Sequence, residues 1–206
     1  MLSRTASGLY WMARYLERAE QLARVLDVTN RLSLMPVRNS HGDELLLPIN
    51  LTGTRQLFET INGRFTMPQL FNFFALDERN PSSIFCCWQE AWNNAHAVRG
   101  SLSSEVWESI NSTWIEMRNM RRRGITSANA DSFFDWVKER SHLFRRATFG
   151  PLLPCDAMSL LLIRTLTERS DGTPRLFSVN PQLLEQNPHS SRASYLPYSL
   201  LTHVPA

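Results

Sequence analysis

Glu17-Arg18, Glu139-Arg140 and Glu168-Arg169 each set a carboxylate beside a guanidinium. An enzyme could use Glu17, Glu20 or Glu139 as general acid or base, with Arg18 or Arg140 orienting a substrate carboxylate through its forked donors. Glu139 and His142 also form a Glu-x-x-His pair. In a di-metal bundle that spacing places two ligands on one helical face, but it needs a second such pair and two more glutamates. Asn93 holds the acidic position before His96, so no second pair forms and no metal or cofactor is expected. Cys86 and Cys87 lie nine or ten residues from His96 on one expected helix, about 14 Å along its axis, beyond reach of that base. They read as small packed thiols, and Ser82 and Ser83 as helix-start residues.

The stretch RYLERAEQLARVLDV, residues 14–28, decides how the first pair is presented. At 100° per residue, Leu9, Met12, Leu16, Ala19, Leu22, Ala23 and Leu26 share one broad face. Arg14, Glu17, Glu20, Arg24 and Asp27 fall opposite, at spacings of three or four that suit ion pairs such as Glu20 with Arg24. The stripe reads as the solvated side of a helix. Arg18 departs from it, landing between Val25 and Trp11 within the apolar arc. Arg140 does so more sharply, in the middle of a stripe formed by Phe133, Val137, Phe144 and Ala147. A guanidinium facing a core needs an acceptor, because an unpaired buried charge is costly. Arg140 is therefore expected to reach a carboxylate on a neighbouring helix, with Glu17, Glu20 and Glu168 as candidates.

The elements that must carry these residues are helical. No Pro interrupts residues 5–34 before Pro36, which predicts one long helix. Pro48, Gly53 and Gly63 divide the next stretch into a short helical turn, a loop and a helix near 54–61, and another helix covers 67–76. Asn80 and Pro81 suit the start of a helix carrying Ile84, Trp88, Ala91, Ala95 and Val98. Serines and an acidic turn open the next, with Val106, Ile110, Trp114 and Met117 on one face. Two more span about 130–148 and a stretch beginning near Cys155. No period-2 alternation is present, so the class is all-α, a bundle of about six helices. Residues 1–170 form the helical domain. Gly172 and the five prolines after it give residues 171–206 an irregular character.

The 206 residues are 43% hydrophobic and 20% charged, ordinary for a folded protein, and the formal net charge is +3. Lys138 is the sole lysine among 22 basic residues. That bias favours bidentate arginine–carboxylate pairs over a general polycation surface. The basic run RNMRRRG, residues 118–124, lacks a recognition helix or aromatic platform and suits a helix terminus, so no nucleic-acid partner is expected. Three cysteines make neither a disulfide framework nor a metal set, and no signal peptide or membrane span is read. A cytoplasmic location follows as the expectation.

ERAEQLARVLDV near the start aligns with ERSDGTPRLFSV near the end, so the motif at 14–28 has a decayed copy at 166–179. The opening MLSRTASGLYWMARYLERAEQLARVLDV, followed in order by LDERNPSSI, SSEVWESIN and FFDWVKERSHLFRRATFG, resembles the alpha-E family. These are bacterial all-helical proteins with a Glu-Arg motif, usually tandemly duplicated. The resemblance marks Glu17, Arg18, Glu168 and Arg169 as signature pairs and carries no catalytic activity. It implies an accessory part of a peptide synthesis or modification system, in company with ATP-grasp ligases, transglutaminase-like proteins and an N-terminal-nucleophile peptidase. The partner expected is an ATP-grasp ligase-like or transglutaminase-like protein. AWNNAH departs from the family's usual Ala-Arg-Glu-Asn-Ala-Arg, with Trp92, Asn93 and His96 in charged positions, and Gly172 and Pro174 fall where the second copy's helix should continue, so a shortened or degenerate member is expected.

Overall fold

A computed structural model describes residues 3–34, 43–63, 65–126, 128–149, 159, 161, 163–168 and 170. Those residues contain no strand. They form α1 (Ser3–Ser33), α2 (Asp43–Thr52), α3 (Arg55–Asn62), α4 (Met67–Ala75), α5 (Ile84–Ala97), α6 (Ser104–Arg123) and α7 (Ala130–Phe149), with a 3-10 turn at Arg99–Ser101. Residues 159, 161, 163–168 and 170 are helical as well. The start expected near Cys155, and the tail at 171–206, lie outside the described residues.

The core is a four-helix ring in which α1 packs on α5, α5 on α6, α6 on α7 and α7 back on α1. Short connections at 98–103 and 124–129 make the successive helices α5, α6 and α7 antiparallel neighbours. The apolar face read along α1 is buried as expected, including Leu9, Met12, Leu16, Ala19 and Leu26. Trp88, Ala91 and Ala95 of α5, Ile110 and Met117 of α6, and Phe134 and Val137 of α7 join the same cluster. Gly8 sets how closely α1 approaches α5. A Cβ there would overlap Cγ1 of Val98 and stand 3.6 Å from the carbonyl of Asn94.

α2, α3 and α4 form an annex beside this ring, with α2 against α1 and α4 against α1 and α5. Two local expectations are corrected here. Pro48 does not break the chain into a turn and a loop, because α2 runs through it. Proline removes one backbone donor, while its own carbonyl still accepts, here from Thr52 Oγ1 at 2.8 Å. Asn80 does not cap α5. Ser83 does, its hydroxyl accepting from the Cys86 N–H at 3.1 Å. Asn80 is buried one turn earlier, where its side chain accepts from Ser82 N at 3.0 Å and donates to Phe73 O at 3.1 Å. It thereby ties the last carbonyls of α4 to the start of α5.

The α6 reading holds. Ser103 caps it and Gly124, at φ 75°, ends it. Its terminal arginines are partly engaged. Arg121 pairs with Glu78 and lies 4.7 Å from the Phe85 ring, while Arg122 donates to Asn119.

Candidate functional site: a Glu-Arg lattice between helices

The charged stripe of α1 is not a solvated face. Glu17, Glu20 and Asp27 are buried, at 5%, 2% and 7% exposure. Their cover comes from α7, which lies antiparallel along that side and presents Lys138 and Arg145. Lys138 Nζ donates to Asp27 Oδ2 at 2.7 Å, and Arg145 Nη2 donates to Glu20 Oε1 at 2.9 Å. Arg145 Nη1 also donates to Glu17 Oε1 at 3.1 Å and pairs with the second oxygen of Glu20. Glu20 and Asp27 are seven residues apart, as are Lys138 and Arg145, so two turns of each helix stay in register. Asn30 continues the ladder, donating to Asp131 at 2.6 Å.

Within α1 the expected Glu20–Arg24 pair forms at 2.6 Å, whereas Asp27 pairs along the helix with Arg31 at 2.8 Å. Burial alone would raise the Glu20 pKa. The hydrogen bond and charge of Arg145, supported by Arg24, outweigh it and hold the carboxyl below the usual range. Arg145 is pushed the other way. Burial disfavours its charge, but Glu20 and Glu17 overcome this and raise its pKa.

His142 completes the cluster, with Nδ1 3.1 Å from Arg145 Nη2. A guanidinium only donates, so Nδ1 accepts and the ring proton sits on Nε2. Burial, then the Arg145 charge, lower the His142 pKa and keep the ring neutral. Its Nδ1 lone pair is thus already used, and Glu139 is exposed. The Glu-x-x-His pair does not converge as a ligand pair, and no group of three His, Cys, Asp or Glu fit to hold a metal is found among the described residues.

Arg140 does reach a carboxylate on the next helix, but it is Glu116 of α6, not Glu17, Glu20 or Glu168. Nη2 donates to both Glu116 oxygens, at 2.9 and 2.7 Å, and Trp136 Nε1 donates to the same carboxylate at 3.0 Å. The physical reason is rotational. Lys138 and Arg145 take the α1 side of α7, so Arg140 points towards α6.

Arg18 is not enclosed by the apolar arc either. Its side chain is 35% exposed, and its Nε stands 3.9 Å from Glu168 Oε1. The arginine of the first signature pair therefore faces the glutamate of the second. Arg14 and Arg164 approach the same carboxylate, Arg14 at 3.8 Å. Arg169 lies outside the described residues.

A further Glu-Arg dipeptide, Glu78-Arg79, lies in the LDERNPSSI block, where the sequence reading gave it no role. Glu78 goes to Arg121 and Arg79 to Asp77, the latter at 2.7 Å. Among these contacts no dipeptide pairs within itself. On α1, Glu17 and Arg18 diverge by about 100°, so that step sends its two charges to two different partners, whereas Glu78 and Arg79 lie in the turn before α5. Arg145 was missed as well. Its signal was the seven-residue step shared with Lys138, matching the step from Glu20 to Asp27.

The cysteines and the AWNNAH stretch also resolve structurally. Burial pushes the Cys87 thiol up to about 12, and it raises Cys86 too, the opposite of what a nucleophile needs. Trp92 and His96 stack with ring centres 5.2 Å apart, and Trp92 Nε1 donates to Asn111 at 3.0 Å. An aromatic stack stands where charged residues were expected from the resemblance.

Fold and lattice together define an all-helical bundle cross-tied by Glu-Arg pairs. The chain belongs to the Alpha-E family, described as a predicted alpha-helical domain with a conserved ER motif, whose model matches residues 1–204. No curated protein and no solved structure matches it.

Proposed function

We propose that this protein is a non-catalytic accessory or scaffold of a peptide synthesis or modification system. Its partner is an ATP-grasp ligase-like or transglutaminase-like protein, in keeping with the company that the family resemblance implies. The observation that carries the non-catalytic part is the state of Glu20. An acid or base needs a pKa drawn towards the working pH and a path to substrate. Glu20 instead is buried, held ionised and closed upon Arg145 and Arg24. Such a pair ties helices together, leaving the outer surface to recognise the partner.

The test is co-purification of the tagged chain from its native host, followed by reconstitution of the recovered pair with ATP and candidate peptides. A ligase-like or transglutaminase-like protein should be recovered, and peptide chemistry should require it. Turnover by the isolated chain, lost in Glu20→Gln, would overturn the proposal in favour of an acid–base enzyme.

A further inference from the structure

Arg14, Arg18 and Arg164 converge on the single carboxylate of Glu168. Arg164 is the innermost, its side chain 3% exposed, and its Nε is buried without a hydrogen-bond partner. Arg14 Nε is likewise buried and unpartnered, although 28% of that side chain is exposed. At 3.8 and 3.9 Å, the approaches of Arg14 and Arg18 to Glu168 are charge contacts, longer than hydrogen bonds. Glu17, the nearest carboxylate along α1, is hydrogen-bonded to Arg145.

Among the described residues, three guanidiniums thus meet at one carboxylate, each with five N–H donors against its two oxygens. Gathering like charges in a partly buried place is unfavourable unless anions answer them. Aromatic faces supply part of the answer. Arg164 lies 4.7 Å from the Tyr10 ring and Arg14 5.1 Å from the Trp11 ring. A ring face attracts the cation but accepts few of its hydrogen bonds.

We infer that Arg14, Arg18 and Arg164 form a binding site for a small oxyanion, a carboxylate or phosphate, beside Glu168. The two outer arginines are 28% and 35% exposed, within reach of a ligand from solvent, and Arg164 supplies fixed positive charge from behind. Trp11, 39% exposed, borders the site and suits an apolar group carried next to the anion. The inference stands apart from the choice of protein partner, since it concerns a small ligand bound by the isolated chain.

Calorimetric titration of the full chain with inorganic phosphate, and with a short peptide bearing either a free or an amidated C-terminus, tests it at constant ionic strength. Saturable one-to-one binding of phosphate or of the free-carboxyl peptide is expected. Binding by phosphate alone names a phosphoryl source, and discrimination against the amidated peptide names a peptide carboxylate. Arg14→Gln/Arg18→Gln should weaken binding about tenfold or more, given the strength of charge-assisted hydrogen bonds. If circular dichroism shows that this variant does not fold, the more exposed Arg18→Gln alone replaces it, with weakening again expected. Absence of saturable binding to wild type, or unchanged affinity in the folded variant, overturns the site.

Discussion

Arg145 is the residue on which the α1–α7 interface turns. It satisfies Glu17 and Glu20 together and fixes the tautomer of His142. Replacing it by Met removes the cation that Glu17 and Glu20 share, while Arg24 remains on Glu20. Arg145→Met should therefore cost roughly 3–5 kcal/mol in urea denaturation, the usual penalty for removing one partner of a buried pair. Adding Glu20→Gln should recover part of that loss, because an uncharged amide no longer needs the cation. Strict additivity of the two changes would show that the residues are not coupled. Glu139 provides the contrast. It is exposed, so Glu139→Ala should stay within about 0.5 kcal/mol of wild type in the same assay. The sequence could not separate these cases, since Glu17 and Glu139 both head a Glu-Arg dipeptide and differ only in what packs over them.

At the scale of elements, helix existence was legible from periodicity and from caps. The Val106, Ile110, Trp114, Met117 stripe is buried, and α6 opens at Ser103. Helix starts were less legible where several capping residues compete. Asn80 and Ser83 both have the chemistry to cap α5, and the buried carbonyl of Phe73 claims Asn80 for the preceding turn. Gly8 is an element-scale feature with a direct test. Gly8→Ala improves intrinsic helix propensity yet drives a methyl into Val98. A net loss of about 1–3 kcal/mol is expected from thermal unfolding, as for other overpacked contacts. Val98→Ala in the same chain should relieve it. Stabilisation by Gly8→Ala alone would mean that α1 and α5 separate easily, and that close approach is not needed there.

For the whole molecule, the lattice makes stability depend on pH. The folded state holds His142 neutral, with its pKa lowered from 6.5. The unfolded chain then binds more protons as pH falls through 6.5, so stability declines from there towards the folded value. Glu20 acts lower. Its pKa is depressed from 4.5, so the stability it contributes is full above that value and is lost as pH falls through the folded one. Denaturation midpoints between pH 8 and 3 should show both declines. His142→Gln, whose amide oxygen still accepts from Arg145, should flatten the upper one and leave the lower. An unchanged upper slope would assign that decline to another group.

The all-α class was legible in the sequence alone, as were helices expected over 5–34, 67–76 and about 130–148, which the structure places at 3–33, 67–75 and 130–149. Helical periodicity and capping are local properties, readable within a few turns of chain. Tertiary structure alone decided that the α1 stripe is buried, that Arg140 belongs to Glu116, and that Arg18 meets Glu168 from the far end of the chain. A polar stripe has the same pattern whether water or an oppositely charged helix covers it. Only the packing of α7 against α1 places Lys138 and Arg145 over those carboxylates, and that packing depends on residues more than a hundred positions away.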